Sequence, residues 1–148
     1  MEFFPSTETK AETEAALRKI ESKFEKDGFG FMAAELKASK EFIGFIGLNI
    51  PAGYETHFTP CVEIGWRLAF EHWGKGYAPE GAQACLNYGF TALGLKEIVA
   101  FTAVANLKSR RVMEKIGMIH DPKDDFDHPK LADGHPLKRH VLYRIRCI

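Results

Sequence analysis

Hydrophobic residues recur at helical spacing near the start of the chain. Thr9 and Glu12 have the spacing of a capping box, in which each side chain accepts a hydrogen bond from the backbone N–H of the other residue. Gly28 is typical of the residue that ends a helix. Between these signals, Thr13, Leu17, Ile20 and Phe24 form one helical stripe. The pattern therefore predicts a first helix whose stripe faces the core.

Two further helices are predicted downstream. Pro79 suits the first position of a helix because its missing N–H group costs nothing there, and Gly94 ends the pattern that follows. Asn106 is a good N-cap for a helix over Leu107–Ile116, with Gly117 as its stop signal. The periodic positions of the helix after Pro79 are Ala82, Leu86, Gly89 and Leu93.

Strand-like segments separate these helices and close the chain. Lys37–Lys40 joins the first two strands as a hairpin, and Gly44 and Gly47 indicate a bulge or a close backbone approach. Because hairpins are mixed with two strand–helix units, the sequence predicts a mixed sheet covered by helices. Pro51–Pro60 and Asp121–Pro136 are predicted to be loops. The predicted strands are Phe29–Leu36, Glu41–Ile50, Ile64–Leu68, Glu97–Val104, Met118–His120 and Arg139–Ile148.

Composition narrows the class of protein. The chain has 148 residues, of which 45% are hydrophobic and 27% charged, so a single globular domain over residues 1–148 is expected. Twenty basic residues balance twenty acidic ones, which argues against a nucleic-acid or membrane-surface partner. The three cysteines lack metal-binding spacing, and the start of the chain lacks the pattern of a signal peptide. These features predict a reduced, cytoplasmic protein.

The segment Ala69–Tyr77 has the chemistry of an anion site. Gly74 and Gly76 leave no Cβ in the way of a ligand, so backbone N–H groups can approach phosphate oxygens. The following helix N-terminus adds positive potential, and Lys75 adds charge. Read alone, the segment is equally consistent with an ordinary turn. It matches neither the dinucleotide-binding Gly-x-Gly-x-x-Gly string nor the P-loop.

The surrounding residues resemble the GNAT superfamily of N-acetyltransferases. Motif A of that family reads Arg/Gln-x-x-Gly-x-Gly/Ala, and Glu71–Gly76 occupies it with Glu71 as a departure at the first position. Tyr77-Ala78-x-Glu80 is similar to the RimJ/RimL branch. Two later blocks also resemble that branch in order: Asn106-x-x-Ser109-x-x-Val112-Met113-Glu114-Lys115-x-Gly117-Met118, and the closing segment from Phe126 to Tyr143.

The resemblance implies an α/β fold of the GNAT type, with a central mixed sheet flanked by helices. It also implies an acyltransferase that moves an acetyl group from acetyl-CoA, as co-substrate, to a primary amine at a protein N-terminus or on a small molecule. Acetyl-CoA is expected to enter a splay between Val62–Leu68 and Glu97–Val104. The expected cofactor-binding residues are Trp66, Arg67, Leu68, Trp73, Gly74, Lys75, Gly76, Tyr77, Ala78 and Asn106. An acyl-CoA-binding module without turnover is the alternative.

Proton transfer in the family needs a base and an acid. The resemblance places Glu63 as the general base, because it opens Val62–Leu68, which corresponds to the fourth strand of the family fold. His120, Asp124 and Asp125 are alternatives. Met113 stands where the wider family has a tyrosine that acts as the general acid. Ser109 is the expected substitute in that role because it shares a helix face with Asn106. Structural roles stay open for these residues: surface glutamate for Glu63, helix-start serine for Ser109 and N-cap for Asn106.

Two further expectations concern metals and the sheet edge. Four histidines lie near several aspartates after residue 119, but without compact metal-ligand spacing, so no metal is predicted. The RimJ/RimL branch has a further strand and helix before the Phe3-Phe4-Pro5 string, so Phe29–Leu36 is expected to be an exposed edge. A second copy of the chain, or Met1–Pro5 folding back, would cover this edge, or else the chain is a fragment of a longer product.

Overall fold

The computed structural model describes residues 8–147, which form three α-helices and seven strands. Short 3₁₀ turns lie at Phe70–His72 and Pro122–Asp124. The helices are α1 (Lys10–Asp27), α2 (Tyr77–Thr91) and α3 (Leu107–Lys115). The strands are β1 (Phe31–Glu35), β2 (Phe42–Asn49), β3 (Glu63–Leu68), β4 (Glu97–Ala103), β5 (Ile119–His120), β6 (Phe126–Asp127) and β7 (Arg139–Arg146).

The strands form one mixed sheet in the order β1-β2-β3-β4-β7-β5, and β6 also pairs with β7. β3 and β4 run parallel and share a single register pair, Glu63 with Val99. The Val99 N–H also donates to the carbonyl of Val62 at 3.0 Å. Beyond this point the two strands diverge toward their C-terminal ends, which is the splay that the resemblance implies.

The hydrophobic core lies on both faces of the sheet. On one face, α2 and α3 cover a large cluster that includes Ile64, Leu86 and Tyr143. On the other face, a smaller cluster gathers Phe58 and Phe126 around β4 and β7. Side chains of a strand alternate between the two faces, so successive residues of β3 contribute to different surfaces of the cleft. The prediction of a mixed sheet flanked by helices is confirmed.

The first helix begins and ends where the sequence predicts. Thr9 and Glu12 form the capping box in both directions, and Gly28 ends the helix at φ 79°. The prediction that its stripe faces the core is wrong, because no residue of Lys10–Asp27 is buried and the side chain of Leu17 is 54% exposed. In its C-terminal half, Lys23 donates a hydrogen bond to the carbonyl of Ile50, the residue that follows β2.

Two local predictions about glycine and proline have different outcomes. A Cβ at Gly47 would lie 2.4 Å from the carbonyl oxygen of Gly30, so the predicted close approach is confirmed. The second helix does not begin at Pro79 but at Tyr77, with Gly76 in the left-handed conformation as its N-cap. Proline is tolerated within this first turn because the N–H groups there lack intrahelical acceptors.

β1 ends the sheet and pairs with β2 alone among the described strands. Its side chains are mostly exposed, and Met32 is 49% accessible. The predicted exposed edge is therefore present over Phe31–Glu35. The expectation that Met1–Pro5 folds back over this edge lies outside the described residues.

Candidate active site

The splay between β3 and β4 opens beside the N-terminus of α3. Trp66 projects from β3 on the face that α2 and α3 cover, and its Nε1–H points at the hydroxyl of Ser109 in the first turn of α3, at 3.4 Å. This is a weak hydrogen bond by its length. It nevertheless joins the two sides of the cleft, and so the structure brings together two residues that lie 43 positions apart in sequence.

The loop before α2 has the backbone geometry of an anion site. Gly74 and Gly76 have φ angles of 71° and 82°, a conformation that other residues rarely adopt. The Glu80 N–H donates to the Gly76 carbonyl at 3.2 Å, so the N–H groups ahead of it lie at the free end of the helix. Within the described chain no side chain caps this helix start. A phosphate group fits here because the amides and the helix dipole both favour an anion.

Aromatic residues fix this loop to the end of β3. The indole Nε1–H of Trp73 donates to the carbonyl of Leu68 at 2.7 Å. Phe70 packs its ring against the Trp73 ring with centroids 5.0 Å apart. The side chain of Lys108, from α3, lies over the same indole at 4.4 Å from its centroid. The loop is therefore held on one side by β3 and contacted on the other by α3.

Asn106 caps α3 and also contacts β4. Its Oδ1 accepts a hydrogen bond from the N–H of Ser109 at 3.3 Å, so its role as an N-cap is confirmed. Its Nδ2 donates to the hydroxyl of Thr102 at 3.0 Å. An amide NH₂ carries two N–H bonds, and Thr102 takes one of them. The capping role therefore does not prevent the same amide from donating to a ligand in the cleft.

Glu63 stands at the point where β3 and β4 separate. Its carboxylate accepts a hydrogen bond from Asn49 Nδ2 at 2.8 Å, and the two residues face each other in the β2–β3 ladder. Removal from water raises the pKa of Glu63 from 4.5 to about 7, although Asn49 and the positive charge of Lys23 oppose this shift. A carboxylate with this pKa can accept a proton from a substrate near neutral pH.

A shallow depression of about 330 Å³ lies near Glu63, within the loop that follows β2. Tyr54 connects the two features: it lines the depression, and burial together with the charge of Glu63 raises the pKa of its phenol. The ring of Tyr54 packs against His128, and Lys130 Nζ lies 5.2 Å from its centroid. The predicted loop Pro51–Pro60 thus supplies the walls of the surface next to the carboxylate.

The alternative bases are engaged elsewhere. Asp124 binds Arg144 through hydrogen bonds of 2.9 and 3.4 Å, which lowers its pKa and weakens it as a base. His120 and Asp125 bind each other at 2.7 Å. His120 lies in β5, and β7 separates that strand from β4. Since neighbouring strands lie about 4.8 Å apart, His120 is two strand spacings away from β4. Of the four candidates, Glu63 alone stands at the splay.

The two expected catalytic residues approach the cleft from opposite faces of the sheet. Ile64 and Trp66 of β3 contribute to the face that α2 and α3 cover, where Ser109 lies. Glu63 precedes Ile64, so it projects to the opposite face. Met113 is 2% exposed within the core beneath α3 and takes no part in the cleft. Glu63 and Ser109 therefore lie on different sides of the sheet, on either side of the splay.

Sequence reasoning did not identify two residues of this site. Asn49 is one, because its contact with Glu63 depends on the register of β2 against β3. Lys108 is the other, because its position over Trp73 depends on how α3 packs beside the loop. The polar Asn49 at the end of an otherwise apolar strand was the available signal for the first, and there was no local signal for the second.

Among the described residues, no group of three or more histidine, cysteine or acidic side chains is arranged to hold a metal ion. Cys61 and Cys85 are half-buried free thiols. No helix in residues 8–147 combines the length and apolar character needed to cross a membrane.

Comparison with known proteins identifies relatives in sequence and in structure. Over 107 residues, the chain is 37% identical to FsC-acetyl coenzyme A-N(2)-transacetylase of Aspergillus fumigatus, covering 66% of this chain and 44% of the relative. It is 42% identical over 91 residues to the uncharacterized protein YkkB of Bacillus subtilis, covering 62% and 51%. The crystal structure of a GNAT-family acetyltransferase from Bacillus anthracis superimposes with a TM-score of 0.75 at 28% identity, covering 99% of this chain and 80% of that one.

The chain spans about half the length of these two curated relatives. The family model for the acetyltransferase (GNAT) domain matches residues 1–119, which include the splayed strands, the glycine loop and α3. Since this match covers most of the chain and agrees with the fold and with the cleft, the protein belongs to the GNAT acetyltransferase family.

Proposed function

We propose that the chain transfers an acetyl group from acetyl-CoA to a primary amine. The observation that carries the proposal is the arrangement around the splay. A glycine loop at the uncapped N-terminus of α2 lies beside the cleft, and a carboxylate with a pKa of about 7 stands where the strands separate. The name of the Aspergillus relative, which specifies transfer from acetyl coenzyme A, supports the same donor.

The chemistry assigns one role to each side of the cleft. The amine nitrogen forms a bond to the acetyl carbonyl carbon, and the bond from that carbon to the coenzyme sulfur breaks. Glu63 accepts the proton that the amine loses, directly or through one water. Ser109 stabilises the leaving thiolate through its O–H group. On the donor side, Asn106 donates to the pantetheine arm and the N–H groups of Gly74–Ala78 hold the diphosphate.

The acceptor is proposed to be a primary amine, either a protein N-terminus or a small molecule. The motif of the RimJ/RimL branch supports the first. The second is supported by the presence of a single-residue mutant of a spermidine N-acetyltransferase from Vibrio cholerae among the structural neighbours, at 25% identity. The surface beside Glu63 carries an acidic residue, Glu55, and a basic residue, Lys130. Its charge therefore does not distinguish between a protein N-terminus and a small amine. The free thiols of Cys61 and Cys85 accord with a reducing compartment, and we propose a cytoplasmic location.

Release of free coenzyme A thiol tests the proposal directly. The purified chain is incubated with acetyl-CoA and a panel of primary amines that includes short peptides and polyamines, with amine-free and protein-free controls. Thiol release that requires both protein and amine, together with acetylated amine detected by mass spectrometry, is the expected result. Binding of acetyl-CoA in a calorimeter without thiol release for any amine would instead support the acyl-CoA-binding module.

A further inference from the structure

The first turn of α3 carries an exposed lysine that reaches across the mouth of the cleft. Lys108 belongs to the segment that follows β4, whereas Phe70 and Trp73 belong to the segment that follows β3. Lys108 Nζ lies 4.4 Å from the centroid of the Trp73 ring and 5.7 Å from that of Phe70. Because β3 and β4 diverge, this contact joins the two sides of the opening.

Trp73 provides a fixed platform for this contact. Its indole N–H donates to the Leu68 carbonyl at 2.7 Å, and its ring meets that of Phe70 at an interplanar angle of 61°. The ring orientation is therefore set by β3 and not by the lysine. The lysine is held directly beside the glycine loop, because Trp73 is the residue that precedes Gly74.

The contact is easily exchanged for a stronger one. A lysine over an aromatic ring at an exposed position is weakly bound, whereas a lysine that meets a phosphate group forms a charge-assisted hydrogen bond. The neighbouring Arg110 is already engaged, since it donates to the Tyr143 hydroxyl at 3.3 Å and to the Val104 carbonyl at 3.1 Å. Lys108 is thus the cation of this turn that is placed to move from the ring to a phosphate group in the cleft.

We propose that Lys108 recognises the phosphorylated end of coenzyme A. When the donor occupies the cleft, the ammonium group leaves the Trp73 ring and pairs with a phosphate group. This inference rests on the proposed donor site and adds a residue outside the glycine loop. It makes Lys108 a specificity-determining residue that favours the complete coenzyme over its phosphate-free pantetheine fragment.

Calorimetric titration of three ligands tests this role without measuring turnover. The ligands are coenzyme A, dephospho-coenzyme A and pantetheine. The variants are Lys108→Met, which keeps the apolar length of the side chain, and Lys108→Arg, which keeps the charge. Lys115→Met is the matched control, because it removes the same charge from the exposed last turn of the same helix, about 10 Å away along the axis.

The expected result is a selective loss. Lys108→Met weakens coenzyme A binding about tenfold, which is about 1.4 kcal/mol, and changes pantetheine binding less than twofold. Lys108→Arg and Lys115→Met stay within about twofold of the wild type for every ligand. A loss that persists with dephospho-coenzyme A assigns the contact to the diphosphate, and a loss that disappears assigns it to the 3′-phosphate; either supports the inference.

Two results would overturn it. The first is equal affinity of Lys108→Met and wild type for coenzyme A. The second is an equal loss for coenzyme A and pantetheine, which would mean that the lysine acts through packing. Both leave the proposed function intact, because the wild type still binds the donor. A wild type that binds none of the three ligands would instead remove the donor site and this inference with it.

Discussion

At the scale of single residues, the position of Glu63 decides how the site can work. Its carboxylate is close enough to Asn49 for a 2.8 Å hydrogen bond and sufficiently removed from water for its pKa to rise to about 7. A glutamate at a solvent-exposed strand start has a pKa of about 4.3 and is therefore ionised near neutral pH. Burial therefore turns an ordinary acidic residue into a candidate base.

Replacement of Glu63 by Gln tests this role through pH. We expect kcat/KM of the wild type to rise with pH and level off above about pH 7, because only the ionised carboxylate accepts a proton. The Gln variant should be about tenfold to a hundredfold slower at neutral pH, with a smaller deficit at high pH, where free amine is already present. A parallel pH profile in wild type and variant would contradict this assignment.

The raised pKa of Glu63 also predicts a change in stability. Between about pH 4.5 and 7 the folded state binds more protons at this carboxyl than the unfolded state does, so the contribution of Glu63 to stability falls as pH rises through this range. Glu63→Gln should therefore raise the midpoint of thermal unfolding at pH 8 and change it little at pH 4. Thermal unfolding followed by circular dichroism measures both, and an unchanged midpoint at pH 8 would exclude a raised pKa.

Ser109 gives a separate test on the opposite face of the sheet. Ser109→Ala keeps the backbone N–H that donates to Asn106 Oδ1, so the N-cap of α3 is preserved. It removes only the hydroxyl beside Trp66. Turnover should fall about tenfold to a hundredfold while acetyl-CoA affinity stays nearly constant. Full turnover in this variant would show that the serine only begins the helix.

At the scale of elements, the loop between β3 and α2 combines a left-handed backbone conformation with an open helix end. Gly74 and Gly76 have positive φ, and a Cβ added at either would meet no protein atom within 4 Å. The glycines are thus required by backbone conformation and not by crowding within the protein. The open space beside them lies where the helix N-terminus favours an anion.

Gly76→Val tests the loop, and Gly94→Val is its matched control. Gly94 also has positive φ, 66°, and open space around it, but it lies after the other end of α2. Both variants should lose similar stability, since a Cβ at positive φ costs about 1–2 kcal/mol. Gly76→Val alone should weaken acetyl-CoA binding by at least about tenfold in calorimetry. Equal affinities in the two folded variants would remove the loop from the donor site.

At the scale of the whole molecule, the described chain leaves apolar surface open at one side of the sheet. β1 lies at the edge, and within Phe31–Glu35 the only charged side chain is that of Glu35. α1 exposes Leu17 and Phe24 as well. Unpaired strand edges with little charge associate with other strands unless they are covered.

We expect this edge to pair with a second copy of the chain. Met32→Lys places a charge in the middle of β1 and should lower the apparent mass at a given protein concentration, as measured by size exclusion with light scattering. Tyr88→Lys is the control, because Tyr88 is similarly exposed, at 48% against 49%, but lies on α2. A wild-type chain that is monomeric at every concentration would contradict the prediction.

The sequence by itself determined the features that depend on neighbouring residues. The capping box at Thr9 and Glu12, the stop at Gly28, the N-cap at Asn106 and the glycine loop are set by local backbone geometry, so short spacings are enough to predict them. The family resemblance of the same local motifs also implied the splay, because related sequences share one fold.

Only the tertiary structure decided the features that depend on register and packing. The partnership of Asn49 with Glu63 requires the alignment of β2 with β3, and the contacts Trp66–Ser109 and Trp73–Lys108 require α3 to pack beside the splay. The exposure of Leu17 is a further feature that the sequence pattern did not predict. An apolar stripe predicts which face of a helix seeks burial, but whether another element covers that face is settled by contacts between residues far apart in the chain.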